Sequence, residues 1–289
     1  MPTFEEIVDK ARKIPLLSNG SMRLLEIIGD EHGDLQEMAK IIETDPALTV
    51  KVLEMVNSAA FNLLQPVSTV SSAIPYLGEK LIVGIAMSLC SPQVFNRPLF
   101  GYESEKGELW AHGLRTAIAA NELAPLSKEN ISRGIAYTGG ILHDIGKSVL
   151  SKFLTGTSQE MLQKIERGEV KDYLDAEDAM VGANHCRIGG ELAKHWNLPP
   201  PLQAVISFHH HPSLAEESHR SLVYVVHLAD MISMMGGTGT GSDNLGYTLD
   251  KNYTDYISID EKGIENLMFK VLIEFEQTCN ALSARKKEG

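Results

Sequence analysis

Gly139-Gly140-Ile141-Leu142-His143-Asp144-Ile145-Gly146-Lys147 ends an apolar run with an imidazole and a carboxylate side by side. A carboxylate taken out of water must be paired or must hold a cation. The pair therefore reads in two ways. One is a His–Asp hydrogen bond buried near a helix end. The other is a metal site, where His143 offers a neutral nitrogen and Asp144 offers two oxygens able to bridge ions. Lys147 follows Asp144 by three residues, one helical turn, where it could meet a phosphate.

Outward from this string, apolar residues recur at three- and four-residue spacing, as in Met38, Ile41 and Ile42, then Leu48, Val52, Met55 and Val56. That is the period of an amphipathic helix and it runs along almost the whole chain, so the expected fold class is all-α. Start signals agree. Thr3 with Glu6 and Asp34 with Glu37 form capping-box patterns, and Asp45-Pro46 sets a cap before a proline at the first helical position. Residues 67–89, VSTVSSAIPYLGEKLIVGIAMSL, read as two short helices broken around Pro75 and Gly78. The turn-rich text SPQVFNRPLFGYES at 91–104 is the expected boundary between an N-terminal helical lobe, 1–100, and a second helical lobe, 101–289, that ends in a C-terminal helix.

Helices are expected in the second lobe around 104–124, 130–145, 157–167, 174–196, 200–210, 217–235 and 260–283. Between the last two, GGTGTGSDNLGYTLDKNYTDYIS at 236–258 invites comparison with a phosphate cradle. Its glycines follow a helix rather than a strand and no Gly-Lys-Ser/Thr ends the run, so a flexible connector is expected.

Four further segments set His, Asp or Glu on apolar elements. Glu108 and His112 stand four apart on one helix face, as a surface contact or as two ligands of one ion. His185 opens an apolar helical stretch, as a structural histidine or a ligand. His209-His210-His211 ends another; neighbouring residues there point about a quarter turn or more apart, so two can reach adjacent metal positions while the third faces elsewhere. Asp230 lies inside a strongly apolar helix and calls for a cation or several donors, with His227 three residues earlier as its supporting partner or a satisfied core histidine. A purely structural reading must accommodate about eight polar groups converging on one buried site.

Composition sets the outer limits. With 289 residues, 43% apolar and 22% charged, the chain is long enough for a sizeable core, and no uncharged apolar stretch approaches the ~18 residues of a membrane span. MPTFEEIVDKARK lacks the apolar region of a signal peptide, so a cytoplasmic location is expected. Cys90, Cys186 and Cys279 are few, widely spaced and suited to reduced thiols. Net charge is −12, from 26 basic and 38 acidic residues, which argues against general nucleic-acid binding. A local cationic or metal pocket could still hold a phosphorylated ligand.

The order His112, His143-Asp144, His185, His209-His210, Asp230 resembles the HD superfamily of metal-dependent phosphohydrolases. The surrounding text is similar to its HDOD family, the HD-related output domain of bacterial signalling proteins. The similarity lies in LQEMAKIIETDPALTVKVLEMVNSAAF (35–61) and VSTVSSAIPYLG (67–78), then LWAHGLRTA (109–117), GGILHDIGK (139–147), HCRIGGELAKHWNLPPPLQAVISFHHHP (185–212) and VHLADMIS (226–233). The resemblance implies an HD-like helical core with an additional N-terminal lobe, and a role in signal transduction through a partner protein.

Many HDOD members have lost the ligand residues, and this chain keeps them. Its positions also resemble those of HD-GYP relatives, which hydrolyse cyclic di-GMP with two or three metals. By that match His112, His143, Asp144, His185, His209, His210 and Asp230 would be ligands, with Asp144 bridging and acting in catalysis. Glu108 would serve a third metal and Lys147 would contact phosphate. The implied cofactor is a dinuclear centre of divalent transition metal, iron or manganese foremost, with zinc or nickel compatible. The Gly-Tyr-Pro signature of those relatives is absent, since the chain reads HHHPSLAEESHR at 209–220. Two functions thus stand side by side: a regulatory module holding metal or a phosphorylated or cyclic-nucleotide ligand, and a metal-dependent phosphohydrolase or phosphodiesterase. His32, His195, His211 and His219 match no ligand position.

Overall fold

The structure, a computed structural model, describes residues 3–13, 24, 35–44, 46–57, 61, 63, 67–78, 82, 97–236, 241–244 and 246–283. Among them there is no β-strand, only the isolated bridges Leu99 to Ser104 and Ser127 to Ile257, and the expected all-α class holds.

Helix α1 (Phe4–Ala11) starts at the capping box expected from its sequence: the Thr3 amide donates to Glu6 Oε2 at 2.9 Å and the Glu6 amide to Thr3 Oγ1 at 3.3 Å. It buries Ile7, Val8 and Ala11, one turn-spaced stripe. Helices α2 (Leu35–Thr44), α3 (Pro46–Val56) and α4 (70–78) follow. Pro46 does open α3, while the Asp34 and Asp45 caps lie outside the described residues. The break expected at Pro75 is corrected: helix α4 runs through this proline, which costs one backbone donor, to the last described residue of the stretch, Gly78, whose φ is +69°.

The second part comprises α5 (Glu108–Leu123), α6 (Arg133–Leu142), α7 (Lys147–Leu150), α8 (Ser158–Glu166) and α9 (Tyr173–Val181). Then come α10 (His185–His195), α11 (Pro200–Phe208), α12 (Glu217–Met235), α13 (Tyr253–Tyr256) and α14 (Glu261–Ser283). The single helix expected over 174–196 is two. Gly182 takes the left-handed conformation that ends α9, and the Asn184 side chain accepts from the Arg187 amide at 2.9 Å to start α10.

Helix α12 is buried continuously from Ser221 to Met234 and forms the axis of the core. It packs on α5, α6 and α11; α5 also contacts α6 and α14, and α1 lies across α7 and α10. Fully buried side chains such as Val223 and Val226 each stabilise the fold by about 1.5–3 kcal/mol. Among the described residues no helix is long and apolar enough to cross a membrane.

The flexible connector expected at 236–258 is also corrected. Within its described residues, the Ser242 amide donates to the Tyr102 carbonyl at 2.6 Å, the Tyr173 amide to the Gly246 carbonyl at 2.9 Å, and the Asp250 amide to His227 Nε2 at 2.9 Å. Asp243 and Tyr247 are buried, so the described residues of this segment, 241–244 and 246–250, form a strap bound across the second part.

Candidate metal centre

Two close approaches of backbone build the site. A Cβ on Gly140 would lie 2.5 Å from the Ala117 Cα, so only glycine lets α6 cross α5 this tightly. That crossing brings His112 Nε2 of α5 to 3.3 Å from His143 Nε2 at the end of α6. A Cβ on Gly146 would lie 1.9 Å from the His185 carbonyl oxygen, which lets the turn after Asp144 seat against the start of α10. Helix α12 then delivers Asp230, and the end of α11 delivers His209 and His210.

The result is two imidazole sets joined by one carboxylate. Asp144 Oδ2 lies 3.6 Å from His112 Nε2 and 3.4 Å from His143 Nε2, and Asp230 Oδ1 lies 2.9 and 3.5 Å from the same two nitrogens. Asp144 Oδ1 faces the other way, 3.4 Å from His185 Nε2 and 3.5 Å from His209 Nε2, which are 3.4 Å apart. His210 joins the second set, its ring centroid 5.1 Å from that of His185 and 4.2 Å from that of His209. His185, His209 and His210 with Cys186, and His112 with His143 and Asp144, are close enough to grip a metal ion.

Hydrogen bonds on the outer side of the rings settle which nitrogen faces inward. His143 Nδ1 is 2.8 Å from the Gly140 carbonyl, His209 Nδ1 is 3.2 Å from the Val205 and Ile206 carbonyls, and His185 Nδ1 is 2.8 Å from Glu177 Oε2. With each Nδ1 held outward, each ring presents Nε2 to the cluster, where it can offer its lone pair to a metal once that nitrogen is deprotonated. Three buried atoms of the cluster have no hydrogen-bond partner: Asp144 Oδ1 and both ring nitrogens of His210. A buried acceptor left this way is costly unless a cation meets it. The residues present fit a divalent metal.

Electrostatics point the same way. Burial raises the Asp144 pKa, and Lys147 and His143 more than reverse this, holding the carboxylate well below its usual range. Asp230 is likewise raised by burial and brought well below its usual value by hydrogen bonds from His112 and His143. Burial lowers the His143 pKa, but Asp144 and Asp230 carry it up to about 10. Burial and the neighbouring His209 and His185 push His210 well down, so its ring stays uncharged. The charges of the two buried carboxylates, Asp144 and Asp230, are met by Lys147 and by protons on the histidines, and a metal would displace those protons.

Three supporting groups escaped the sequence reading. Glu177, fully buried on α9, accepts from the His185 amide at 2.8 Å, from its ring, and from the Tyr102 hydroxyl at 2.7 Å. It sits on the buried face with Tyr173, Leu174 and Met180, and an acid on an apolar stripe is the signal that could have revealed it. Asp243 of the strap is 1% exposed and lies 2.6 Å from Lys147 Nζ, whose other partner is Asp144 Oδ2 at 2.7 Å. Tyr247 donates to Asp243 Oδ2 at 2.9 Å and stacks on His210 with centroids 3.8 Å apart. His227 is a satisfied core histidine, donating from Nδ1 to the His209 carbonyl at 2.7 Å while Nε2 accepts from the Asp250 amide.

Glu108 is not brought into the cluster: it starts α5 half-buried, and its Oε2 accepts from the Glu105 amide at 2.8 Å. His211 and His219 are half-buried and His195 is exposed, and none takes part in the contacts described; His32 lies outside the described residues.

An all-helical core with a buried His/Asp cluster defines the class of this protein. The chain belongs to the HDOD family, whose HDOD domain model matches residues 14–212. It is 30% identical over 230 residues to an uncharacterized protein of Treponema pallidum (strain Nichols), covering 78% of this chain and 43% of that protein, so it spans less than half of that relative's length. Among solved structures it resembles an HDOD domain protein of unknown function from Geobacter sulfurreducens, with TM-score 0.68, 20% identity, and 96% and 98% of the two chains covered. A protein of Marinobacter aquaeolei VT8 provisionally named for signal transduction gives TM-score 0.74 at 18% identity, over 98% of this chain and 61% of that one. A provisionally named phosphohydrolase of Shewanella amazonensis SB2B gives 0.63 at 22% identity, over 96% and 97%. At these identities the structural likenesses speak for the fold alone.

Proposed function

We propose that the chain is a bacterial signalling module whose second lobe holds two divalent transition metal ions, iron or manganese, and that a partner protein reads the occupied state. The observation that carries this reading is Asp144, whose two oxygens face two separate imidazole sets. His112, His143 and Asp230 would hold one ion, and His185, His209 and His210 the other, with Asp144 shared. Bound there, the ions would supply Lewis acidity toward a phosphoryl oxygen. Residues 101–289 form the metal-holding lobe in this reading, and residues 1–100 the lobe that meets the partner. A third ion at Glu108 would require its carboxylate to leave the Glu105 amide. The strap favours holding over turnover, since Tyr247 covers His210 and Asp243 engages Lys147.

The second reading, a phosphohydrolase, is favoured by Lys147 standing beside the bridging carboxylate. It requires a phosphate to take the place of Asp243 at Lys147. Metal content and hydrolysis of bis(p-nitrophenyl) phosphate, measured on the parent, Asp144→Ala and Asp243→Ala, separate the two. Metal held by the parent and lost in Asp144→Ala, with no hydrolysis in any variant, supports the module. Hydrolysis that Asp144→Ala abolishes supports the enzyme, and equal metal in parent and Asp144→Ala refutes both.

A further inference from the structure

Away from the metal centre, a cavity of about 280 Å³ opens where α1 meets α7. Among the described residues its charged lining is entirely cationic: Lys10 and Lys13 from α1 and the turn after it, Arg97, and Lys152 just beyond α7. In a chain of net charge −12 this is a local reversal of sign. Elsewhere Arg12, Lys164, Arg187, Lys194 and Lys270 each meet a carboxylate. None of the four cavity cations makes an ion pair among the described residues.

The remaining lining makes this a shaped site. Buried Val149 and half-buried Phe153 give it an apolar wall. The Phe153 ring holds the Lys10 ammonium 4.6 Å from its centroid, which orients that cation without neutralising it. Ser148 spends its hydroxyl proton on the Ile145 carbonyl at 2.7 Å, so among the described lining side chains the cations are the donors to a guest. A guest must therefore carry several negative charges and a small apolar part. At about 280 Å³ the cavity lies just below the usual range of small-ligand sites, which suits one or two phosphoryl groups on a compact body rather than a dinucleotide.

We propose that this cavity is a binding site for a compact organic phosphate, separate from the His/Asp cluster and independent of what that cluster does. A guest there would clamp α1 onto the segment that begins at Lys147, and so would lie next to the metal centre without touching its ligands.

Isothermal titration of the full chain with pyrophosphate and with adenosine 5′-monophosphate tests this. The parent is expected to bind one equivalent of at least one probe, more weakly as salt rises. Lys13→Ala and Lys152→Ala should each weaken binding at least fivefold, and Lys152→Arg should retain it. Lys106→Ala, an exposed lysine outside the cavity, should leave it unchanged. Absence of saturable binding by the parent overturns the proposal. So does parent-like affinity in Lys13→Ala and Lys152→Ala, which would place the anion elsewhere, or a loss in Lys106→Ala as large as theirs, which would mean general charge attraction. Unchanged circular dichroism of these surface variants shows that lost binding is not lost folding.

Discussion

Replacing Asp243 by Asn probes how the strap is held. Lys147 is 2% exposed and its ammonium is shared between Asp144 at 2.7 Å and Asp243 at 2.6 Å. Breaking a buried ion pair by removing one partner costs about 3–5 kcal/mol. Asp144 remains beside Lys147 in the variant, and asparagine keeps an oxygen for the Tyr247 hydroxyl, so the expected loss falls to about 2–3 kcal/mol. A double-mutant cycle with Lys147→Met, followed by urea unfolding, isolates the pair, with an expected coupling of about 2 kcal/mol. Hydrogen exchange in 241–250 should speed up in Asp243→Asn, because the strap loses its most buried anchor. Metal content should not change, since Asp243 is outside the proposed ligand set. A coupling under about 0.5 kcal/mol with unaltered strap exchange would refute the reasoning.

Other perturbations reach the site through different parts of the fold. Glu177→Ala frees the His185 ring and should weaken metal affinity by about 10–100-fold, read by competition with a chromophoric chelator; an unchanged affinity would remove Glu177 from any supporting role. Gly140→Ala forces a methyl to within 2.5 Å of the Ala117 backbone and should destabilise the protein by at least about 1–3 kcal/mol in urea unfolding, a stable variant meaning that α5 and α6 cross less tightly than described. Metal uptake should release protons at pH 8, because the cation-free cluster raises the His143 pKa to about 10 and each ligand must deprotonate to bind. Affinity should therefore rise with pH, and equilibrium dialysis at pH 6 and pH 8 showing equal occupancy at limiting metal would contradict this.

The helical class and most helix positions were legible because apolar spacing is a local property, as Ile7 and Ala11 in α1 and the continuously buried α12 illustrate. The residues that meet at Asp144 were legible because a buried His or Asp is conspicuous in apolar text. What was not legible depends on which segments meet in space. The strap reads as a connector since its glycines and polar residues carry turn chemistry, and only the folded chain sets Asp243 against Lys147. The break at Gly182 was hidden because apolar spacing resumes on its far side, so α9 and α10 look continuous. Glu108 shows the reverse case, where correct helical spacing from His112 did not bring its carboxylate into the cluster.

Elemental analysis of untagged protein, purified without added metal or chelator, tests the central claim most directly. About two irons or manganeses per chain, falling sharply in Asp144→Ala, is the result expected of a centre bridged by Asp144. No metal after anaerobic reconstitution with iron and manganese, or the same metal content in Asp144→Ala as in the parent, would contradict it.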